Sequence, residues 1–376
     1  MFGAGEAIRI TKLETVLVEP RWLFLKVHTD AGIVGLGEPV VEGRARTVAG
    51  AVKKLEEYLI GKDPRSVTHH WQAMYRHAFY RGGPVLTSAI SGIDMALWDI
   101  KGKALGVPVY ELLGGPTRTR VRVYAHASTP EMLRQRSAEG FTAFKTGVVT
   151  HRPARIIETP GFVKRVARRF EELREAAGDE CDIAIDFHGA ISPQTAKLLI
   201  KVLEPYQPMF IEEPVQCQNV EVMADIARST HLPIATGERI FTKWGFKEIL
   251  EKRAATILQP DVCYAGGITE LKIIAGMAES YYTPMAPHNP QGPCSLAASL
   301  QIAGAIPNFL AQERGDNDYM ELLATPLPPV CNGHRPLPTE PGLGITIDED
   351  KLMNQVGDPH PYGPQFDPDD GSVVDW

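Results

Sequence analysis

The sequence predicts an α/β barrel that follows an α+β region. From about residue 125, short apolar runs alternate with amphipathic helical segments, which is typical of a parallel sheet with crossover helices. No unit of this alternation carries a glycine-rich nucleotide-binding turn, so a closed barrel is favoured over an open sheet. The length of 376 residues leaves room for a second domain beside the barrel.

The first region, residues 1–124, is predicted to be α+β. The runs ITKLETVLVE and WLFLKVHTD predict neighbouring antiparallel strands, because turn residues separate two β-rich stretches. The runs TVAGAVKKLEEYLIG and TSAISGIDMALWDIKGKALG carry apolar residues at helical spacing, and each ends at a glycine. A sheet followed by helices is the simplest arrangement of this region.

The barrel is predicted over residues 125–320. Its strand candidates are FTAFKTGV, CDIAIDFHG, PMFIEEPV, LPIATGERI, ATILQPDV, YTPMAPHN and NFLAQER. Residues 321–376 are rich in proline and glycine and end in an acidic stretch. We expect this C-terminal segment to pack back on the N-terminal domain.

Composition excludes several classes of partner. A net charge of −7 and a pI near 5.9 argue against nucleic-acid binding, which requires a dense basic surface. The sequence has no apolar run that could span a bilayer and no secretory signal, so we expect no membrane partner and a cytoplasmic location. The five cysteines show no paired spacing and are expected to be reduced.

Three acids follow successive strand candidates at a constant spacing of 26 residues: Asp186, Glu212 and Glu238. In a parallel barrel this spacing brings the three carboxylates together at the C-terminal ends of the strands. Oxygen ligands favour a hard cation, Mg²⁺ first and Mn²⁺ second, over zinc. Glu213 is an alternative to Glu212, and the acids could instead form salt bridges at the strand ends.

The next strands add Asp261, His288 and Glu313. Asp261 and His288 follow two consecutive strand candidates, so their side chains are expected within hydrogen-bonding reach. A carboxylate on one imidazole nitrogen raises the basicity of the ring and leaves the other nitrogen free to take a proton. Glu313 is expected to hydrogen-bond at the remaining edge of the site.

The run DFHG, FIEEP, ATGER, LQPD, AGGITE and APHNP resembles the enolase superfamily, in its mandelate racemase subgroup. Within the subgroup, EPRWLFLKV, GRARTV, YRGGP, SAISGIDMALWDIKGK, IDFHG and SVVDW resemble the D-galactonate dehydratases. The resemblance runs essentially from end to end. It implies a modified (β/α)7β TIM-type barrel under an α+β capping domain that the C-terminal segment completes.

The resemblance also implies residue roles. Asp186, Glu212 and Glu238 would bind Mg²⁺, while His288, paired with Asp261, would remove the proton next to the substrate carboxylate. His188 would be the acid. Elementary chemistry agrees, because a divalent cation stabilises the enediolate that forms and a hydroxyl leaves readily only when it is protonated.

Racemases of the superfamily commonly carry a Lys-x-Lys pair on an early barrel strand. This sequence has Lys145 but Gly147 two residues later, which favours elimination over racemisation. Lys145 is a candidate for the substrate carboxylate or for structural pairing. Further substrate-binding candidates lie in three stretches of the capping region, whose loops would close over the barrel mouth. They are Arg21 with Trp22, residues 42–46, and residues 75–83, which begin at Tyr75.

The sequence therefore predicts a Mg²⁺-dependent acid-sugar dehydratase acting on a small sugar acid, first D-galactonate, and forming a closed homo-oligomer. The alternatives are dehydration of another aldonate such as gluconate or arabinonate, then epimerisation, then an inactive metal-binding scaffold. Ala190, Asn289 and the run GDNDYM depart from the galactonate dehydratase pattern. These departures bear on the identity of the sugar more than on the reaction.

Overall fold

The computed structural model describes residues 7–76, 79–148, 156–314, 319–359 and 362–374. Residues 77 and 78 of the predicted loop 75–83 therefore lie outside the described part, as do Gly315 to Asp318 of GDNDYM and the last two residues of SVVDW. The strands are β1 (Ile10–Val18), β2 (Trp22–Thr29), β3 (Val34–Gly37), β4 (Arg120–His126), β5 (Ala143–Gly147), β6 (Asp182–Asp186), β7 (Ile211–Glu212), β8 (Ile234–Thr236), β9 (Ile257–Leu258), β10 (Gln312–Arg314), β11 (Leu323–Thr325), β12 (His334–Pro336), β13 (Thr346–Ile347), β14 (Gln365–Phe366) and β15 (Val373–Val374). The helices are α1 (Ala45–Leu59), α2 (Val67–Arg76), α3 (Pro84–Leu105), α4 (Val109–Leu112), α5 (Pro130–Ala138), α6 (Pro160–Ala177), α7 (Pro193–Leu203), α8 (Val220–Arg228), α9 (Thr242–Lys252), α10 (Gly267–Glu279), α11 (Pro293–Ala305) and α12 (Glu349–Asn354).

The N-terminal sheet is antiparallel in the order β1-β2-β3, and α3 packs closely against β3. Gly35 and Gly37 make this approach possible, because a Cβ at either position would overlap the backbone of α3 at Ala96 or Gly92. Helix α3 is buried over most of its length, since it lies between this sheet and α10 of the barrel. The sheet is thereby held firmly against the barrel.

The second sheet forms the barrel. Strands β4 to β9 are parallel neighbours in chain order, Met285 bridges Leu258 and Phe309, and β10 pairs with β4 to close the ring. Each of the first seven strand positions is followed by a helix, from α5 to α11, and β10 is the eighth. The predicted (β/α)7β barrel with an α+β capping domain is confirmed.

One barrel strand is missing from the set predicted from sequence. Strand β4 (Arg120–His126) lies across the predicted boundary between residues 124 and 125. Its arginines at 120 and 122 give it a charged, surface-like pattern, although Val121, Val123 and Tyr124 are buried. Its parallel pairing with β5 and β10 identifies it as a strand of the barrel.

The barrel interior is filled mainly by small side chains and two aromatic rings, and its residues are Tyr124, Ala143, Ala184, Phe210, Ala235, Ile257, Ala286 and Ala311. This packing fills the barrel interior, and in barrels of this kind the site forms at the C-terminal mouth. Among the helices of the described residues, none combines the length and the apolar character needed to cross a membrane.

The C-terminal segment returns to the N-terminal sheet. Leu352 of α12 is fully buried in a cluster with Val18, Trp22 and Phe24. The N–H of Gly357 donates to the carbonyl of Leu17 over 3.2 Å, which extends the pairing beside β1. These contacts agree with the expected return of the segment, while the exact domain boundaries stay a prediction.

Candidate active site

The acids predicted from the sequence spacing lie at the C-terminal ends of neighbouring strands. Asp186 ends β6 and Glu212 ends β7, and the two residues are paired in register. Glu238 follows β8 by two residues, and Asp261 follows β9 by three. The barrel therefore gathers these side chains at one mouth, because parallel strands end on the same side.

Lys145 lies among the acids rather than at their edge. Its Nζ is 3.0 Å from both carboxylate oxygens of Glu212, 2.7 Å from Glu313 Oε1 and 3.5 Å from Asp186 Oδ2. Burial alone would lower the pKa of Lys145, but Glu212 and Glu313 outweigh it and raise that pKa well above its usual value. The lysine is therefore a fixed positive charge in this cluster.

Burial raises the pKa of two of the acids. The pKa of Asp186 rises to about 7 through desolvation, and the charge of Glu238 adds to the shift. The pKa of Glu212 rises to about 8 through desolvation, and the charge of Asp186 adds to it. A single lysine does not neutralise this cluster, so it has a strong affinity for further positive charge.

His288 joins two of the carboxylates. Its Nδ1 lies 2.8 Å from Asp261 Oδ2, and its Nε2 lies 2.9 Å from Glu238 Oε2. Burial would lower the pKa of His288, yet Glu238 and Asp261 together raise it well above the usual value. The structure thus brings the predicted Asp261–His288 pair together, and it also occupies the second nitrogen of the ring with Glu238.

His188 is the second histidine beside the acid cluster, and it contacts Asp186. Its Nε2 lies 3.2 Å from Asp186 Oδ2, and 45% of its side chain is exposed at the mouth. At Gly147, the position of the absent second lysine, a Cβ would lie 3.9 Å from the His188 ring. The glycine therefore leaves room for His188 beside the acids.

Glu213, the alternative to Glu212, points to another part of the mouth. Arg239 Nη2 donates to Glu213 Oε2 over 2.5 Å, and the Gly237 N–H and the Thr236 hydroxyl donate to Oε1. Its carboxylate is thus fully engaged, whereas Glu212 faces Asp186 and Lys145. This placement favours Glu212 as the member of the acid cluster.

Glu313 closes the remaining edge of the cluster. Its Oε2 accepts the backbone N–H of Asn289 over 2.7 Å, and its Oε1 lies 3.4 Å from His126 Nε2. His126 is at the C-terminal end of β4, and its side chain is 39% exposed. Sequence reasoning missed His126 because it missed β4, although the apolar alternation of VRVYA was a usable signal.

The capping-domain candidates occupy three different places. Arg21 Nη2 donates to the carbonyl of Pro290 over 2.7 Å. Arg21 therefore contacts the loop that follows His288 and not the acid cluster at the barrel mouth. Trp22 is 1% exposed and packs edge-on against Tyr319. Tyr75 lies on α2 and stacks on Trp71 with the ring centroids 5.0 Å apart.

The donor chemistry of Asp186, Glu212 and Glu238 fits a hard divalent cation, because all of the donors are carboxylate oxygens and their charge is under-compensated. In the described parts of the chain, however, no group of three or more His, Cys, Asp or Glu side chains is gathered as a ready-made metal site. The acids instead face two other side chains of this chain, the Lys145 ammonium and the His288 ring. These side chains would have to turn toward a bound ion.

The chain matches two family models over most of its length. Residues 10–114 match the N-terminal domain of the mandelate racemase/muconate lactonizing enzymes, and residues 129–351 match the enolase C-terminal domain-like family. D-galactonate dehydratases from Ralstonia pickettii and Ralstonia nicotianae are each 46% identical to it, over 98% of this chain and 100% of theirs.

Solved structures show the same fold. A member of the enolase superfamily from Salmonella typhimurium has a TM-score of 0.88 at 31% identity, covering 92% of this chain and 98% of that one. An enolase from Agrobacterium radiobacter, described as a candidate galactarate dehydratase with bound Na and L-malate, has a TM-score of 0.89 at 30% identity. That match covers 97% of this chain and 99% of the other.

Proposed function

The chain belongs to the mandelate racemase/muconate lactonizing enzyme family of the enolase superfamily, and from this premise we propose that it is a hydro-lyase that removes water from a sugar acid. D-galactonate is the first substrate we propose, because the two Ralstonia relatives are named for it. The product would be 2-keto-3-deoxy-D-galactonate.

One observation supports an elimination most directly. Two histidines flank the same carboxylate cluster: His288, oriented by Asp261, and His188, 3.2 Å from Asp186. Removal of water from a hydroxy acid needs a base for the carbon-bound proton and an acid for the departing hydroxyl. Both kinds of group are available here, beside the acids that spacing alone had singled out.

The proton transfers balance with the residues of this chain. His288 Nε2 takes the proton from C2, and the C–H electron pair moves onto the substrate carboxylate as an enediolate. This pair then forms the C2–C3 double bond as the 3-hydroxyl leaves, and His188 gives that hydroxyl a proton so that water departs. The enol at C2 loses its O–H proton and gains a proton at C3, which gives the 2-keto acid. Glu238 lies 2.9 Å from His288 Nε2 and helps to raise the pKa of the ring, so Glu238 must move away, and Nε2 must lose its proton, before this nitrogen can act as the base.

Asp186, Glu212 and Glu238 are the residues we propose to hold Mg²⁺, with Mn²⁺ as the alternative ion. When bound, the ion would offset the negative charge that builds up on the substrate carboxylate. Lys145 and Glu313 border the same space, and we propose that Lys145 contacts the substrate carboxylate.

Epimerisation is the second candidate reaction, and Gly147 disfavours it. A second base on the opposite face of the substrate would come from the position of Gly147, where there is no side chain. The His188 ring is next to this position, because its Cε1 would be 3.9 Å from a Cβ at residue 147, an ordinary contact distance. His188, next to Gly147, would donate the proton that elimination needs.

A panel of sugar acids that includes D-galactonate, D-gluconate and D-arabinonate tests the proposal, with Mg²⁺ present and 2-keto acid formation as the readout. We expect turnover of D-galactonate that EDTA abolishes and added Mg²⁺ restores. Turnover of another acid alone would keep the reaction and replace the substrate. No keto acid from any member of the panel would contradict the dehydratase proposal.

A further inference from the structure

We propose that Glu38 is a positioning residue for His288, because it holds the loop of residues 288–292 from the capping domain. This inference rests on the proposed function, in which His288 takes the proton from the substrate. Glu38 acts through the backbone that carries the histidine.

Glu38 caps a helix that is far away in the sequence. Its Oε1 accepts the N–H of Gly292 over 2.7 Å, and its Oε2 accepts the N–H of Ser295 over 2.9 Å, at the start of α11. Gly292 is the residue before the first turn of α11, and a glycine has no side chain with which to cap the helix. A carboxylate at this end of a helix satisfies free N–H groups and interacts favourably with the helix dipole.

The cap has little freedom to shift. Glu38 is 0% exposed and directly follows β3, which lies against α3. At Gly292 a Cβ would lie 2.8 Å from Glu38 Oε1 and 3.1 Å from the Phe24 ring, so only glycine allows this approach. The carboxylate therefore ties the end of the loop to the packed core of the capping domain.

The rest of the loop is also held from the capping side. The carbonyl of Pro290 accepts from Arg21, and Gln291 Nε2 donates to Glu42 Oε1 over 2.9 Å. Gly292 is only the fourth residue after His288. A shift of the capped end would therefore move the imidazole.

The test compares Glu38→Gln with a matched control, Asp94→Asn, at about pH 8, which is above the pKa of about 7 to which desolvation raises both carboxyl groups. Asp94 is also fully buried on the capping side, and it accepts the N–H and hydroxyl of Thr269 in the first turn of α10. Glutamine has one acceptor oxygen where glutamate has two. In Glu38→Gln, either the N–H of Gly292 or that of Ser295 therefore faces the amide NH2 group and loses its hydrogen bond.

We expect Glu38→Gln to lower kcat about tenfold to a hundredfold, because the base is displaced while the substrate contacts remain. KM should stay within about threefold, and Asp94→Asn should keep kcat within about threefold. Amide hydrogen exchange over residues 288–296 should quicken in Glu38→Gln and stay unchanged in Asp94→Asn. Equal kcat in the two variants, or unchanged exchange in Glu38→Gln, would overturn the inference.

Misfolding of Glu38→Gln and failure of the proposed function can each be distinguished from failure of this inference. If Glu38→Gln does not fold, Glu38→Asp keeps the charge but withdraws the carboxylate by one methylene, and a wild-type kcat in that variant would overturn the inference. If the wild-type protein dehydrates no sugar acid, the proposed function fails. Amide exchange of residues 288–296 then decides whether Glu38 holds the loop.

Discussion

His188 has a left-handed backbone conformation, with φ of 52°, two residues after the end of β6. Few residues other than glycine adopt this conformation, and it is commonly found at functional sites. The turn lets the His188 N–H donate to Asp186 Oδ1 over 2.7 Å while the ring returns to Asp186 Oδ2. A local backbone feature thus orients the proposed acid.

His288→Asn tests the proposed base. Asparagine is smaller than histidine and cannot take a proton at neutral pH, so we expect kcat to fall by about 10²–10⁴-fold. Circular dichroism and a Mg²⁺ titration should match the wild-type protein, because Asp186, Glu212 and Glu238 are retained. Turnover close to the wild-type rate would exclude His288 as the base.

Gly147→Lys tests the space beside His188. The backbone of Gly147 does not need a positive φ, and a Cβ would make only ordinary contacts, so the variant should fold. A lysine side chain would press on the His188 ring, and we expect kcat for elimination to fall at least about tenfold. Gly147→Ala, which adds only the Cβ, is the control and should remain active. If the lysine variant eliminates water at the wild-type rate, the proposal that His188 needs the space beside Gly147 is wrong.

At the scale of elements, the short helix α12 carries the C-terminal segment onto the N-terminal sheet. The Asp348 carboxylate accepts the N–H of Lys351 over 3.2 Å, which caps the start of the helix. Leu352 then enters the cluster with Val18, Trp22 and Phe24. The segment is therefore part of the folded capping region.

Leu352→Ala tests this docking. The side chain is 0% exposed, so its truncation leaves a cavity and should lower the free energy of unfolding by about 2–5 kcal/mol. The neighbouring Met353 is 65% exposed, and Met353→Ala should change the free energy of unfolding by less than about 0.5 kcal/mol. Denaturant unfolding of the two variants provides the measurement. Equal stabilities would show that α12 is not anchored by Leu352.

At the scale of the whole molecule, buried carboxylates join the capping domain to the barrel. Asp94 of α3 accepts two hydrogen bonds from Thr269 of α10, and Glu38 caps α11. Desolvation raises the pKa of each of these carboxyl groups to about 7. These two carboxyl groups therefore bind protons more tightly in the folded protein than in the unfolded chain.

This linkage predicts a pH dependence of stability. The pKa of Asp94 rises from 3.8 to about 7 on folding, so its contribution is fully present below the lower value and is lost as the pH rises through the higher one. Asparagine does not titrate. Asp94→Asn should therefore cost more stability at about pH 5 than at about pH 8, as measured by urea unfolding at both. A cost that is greater at the higher pH would refute the raised pKa.

The sequence by itself determined the barrel, the acids at its mouth and the Asp261–His288 pair. These features follow from local periodicity and from the equal spacing of strand ends, because each strand–helix unit repeats the same geometry. Strand β4 was missed, since its arginines resemble a surface pattern until its neighbours are present. His126, which ends this strand, was missed for the same reason.

Only the tertiary structure decided which partner each side chain meets. In the folded chain Glu213 pairs with Arg239, and Lys145 lies among the acids. Arg21 contacts the loop after His288. The tertiary structure also brought Glu38 to Gly292, 254 residues later in the chain. Such contacts join distant positions through the packing of the capping domain on the barrel, and no local pattern in the sequence records them.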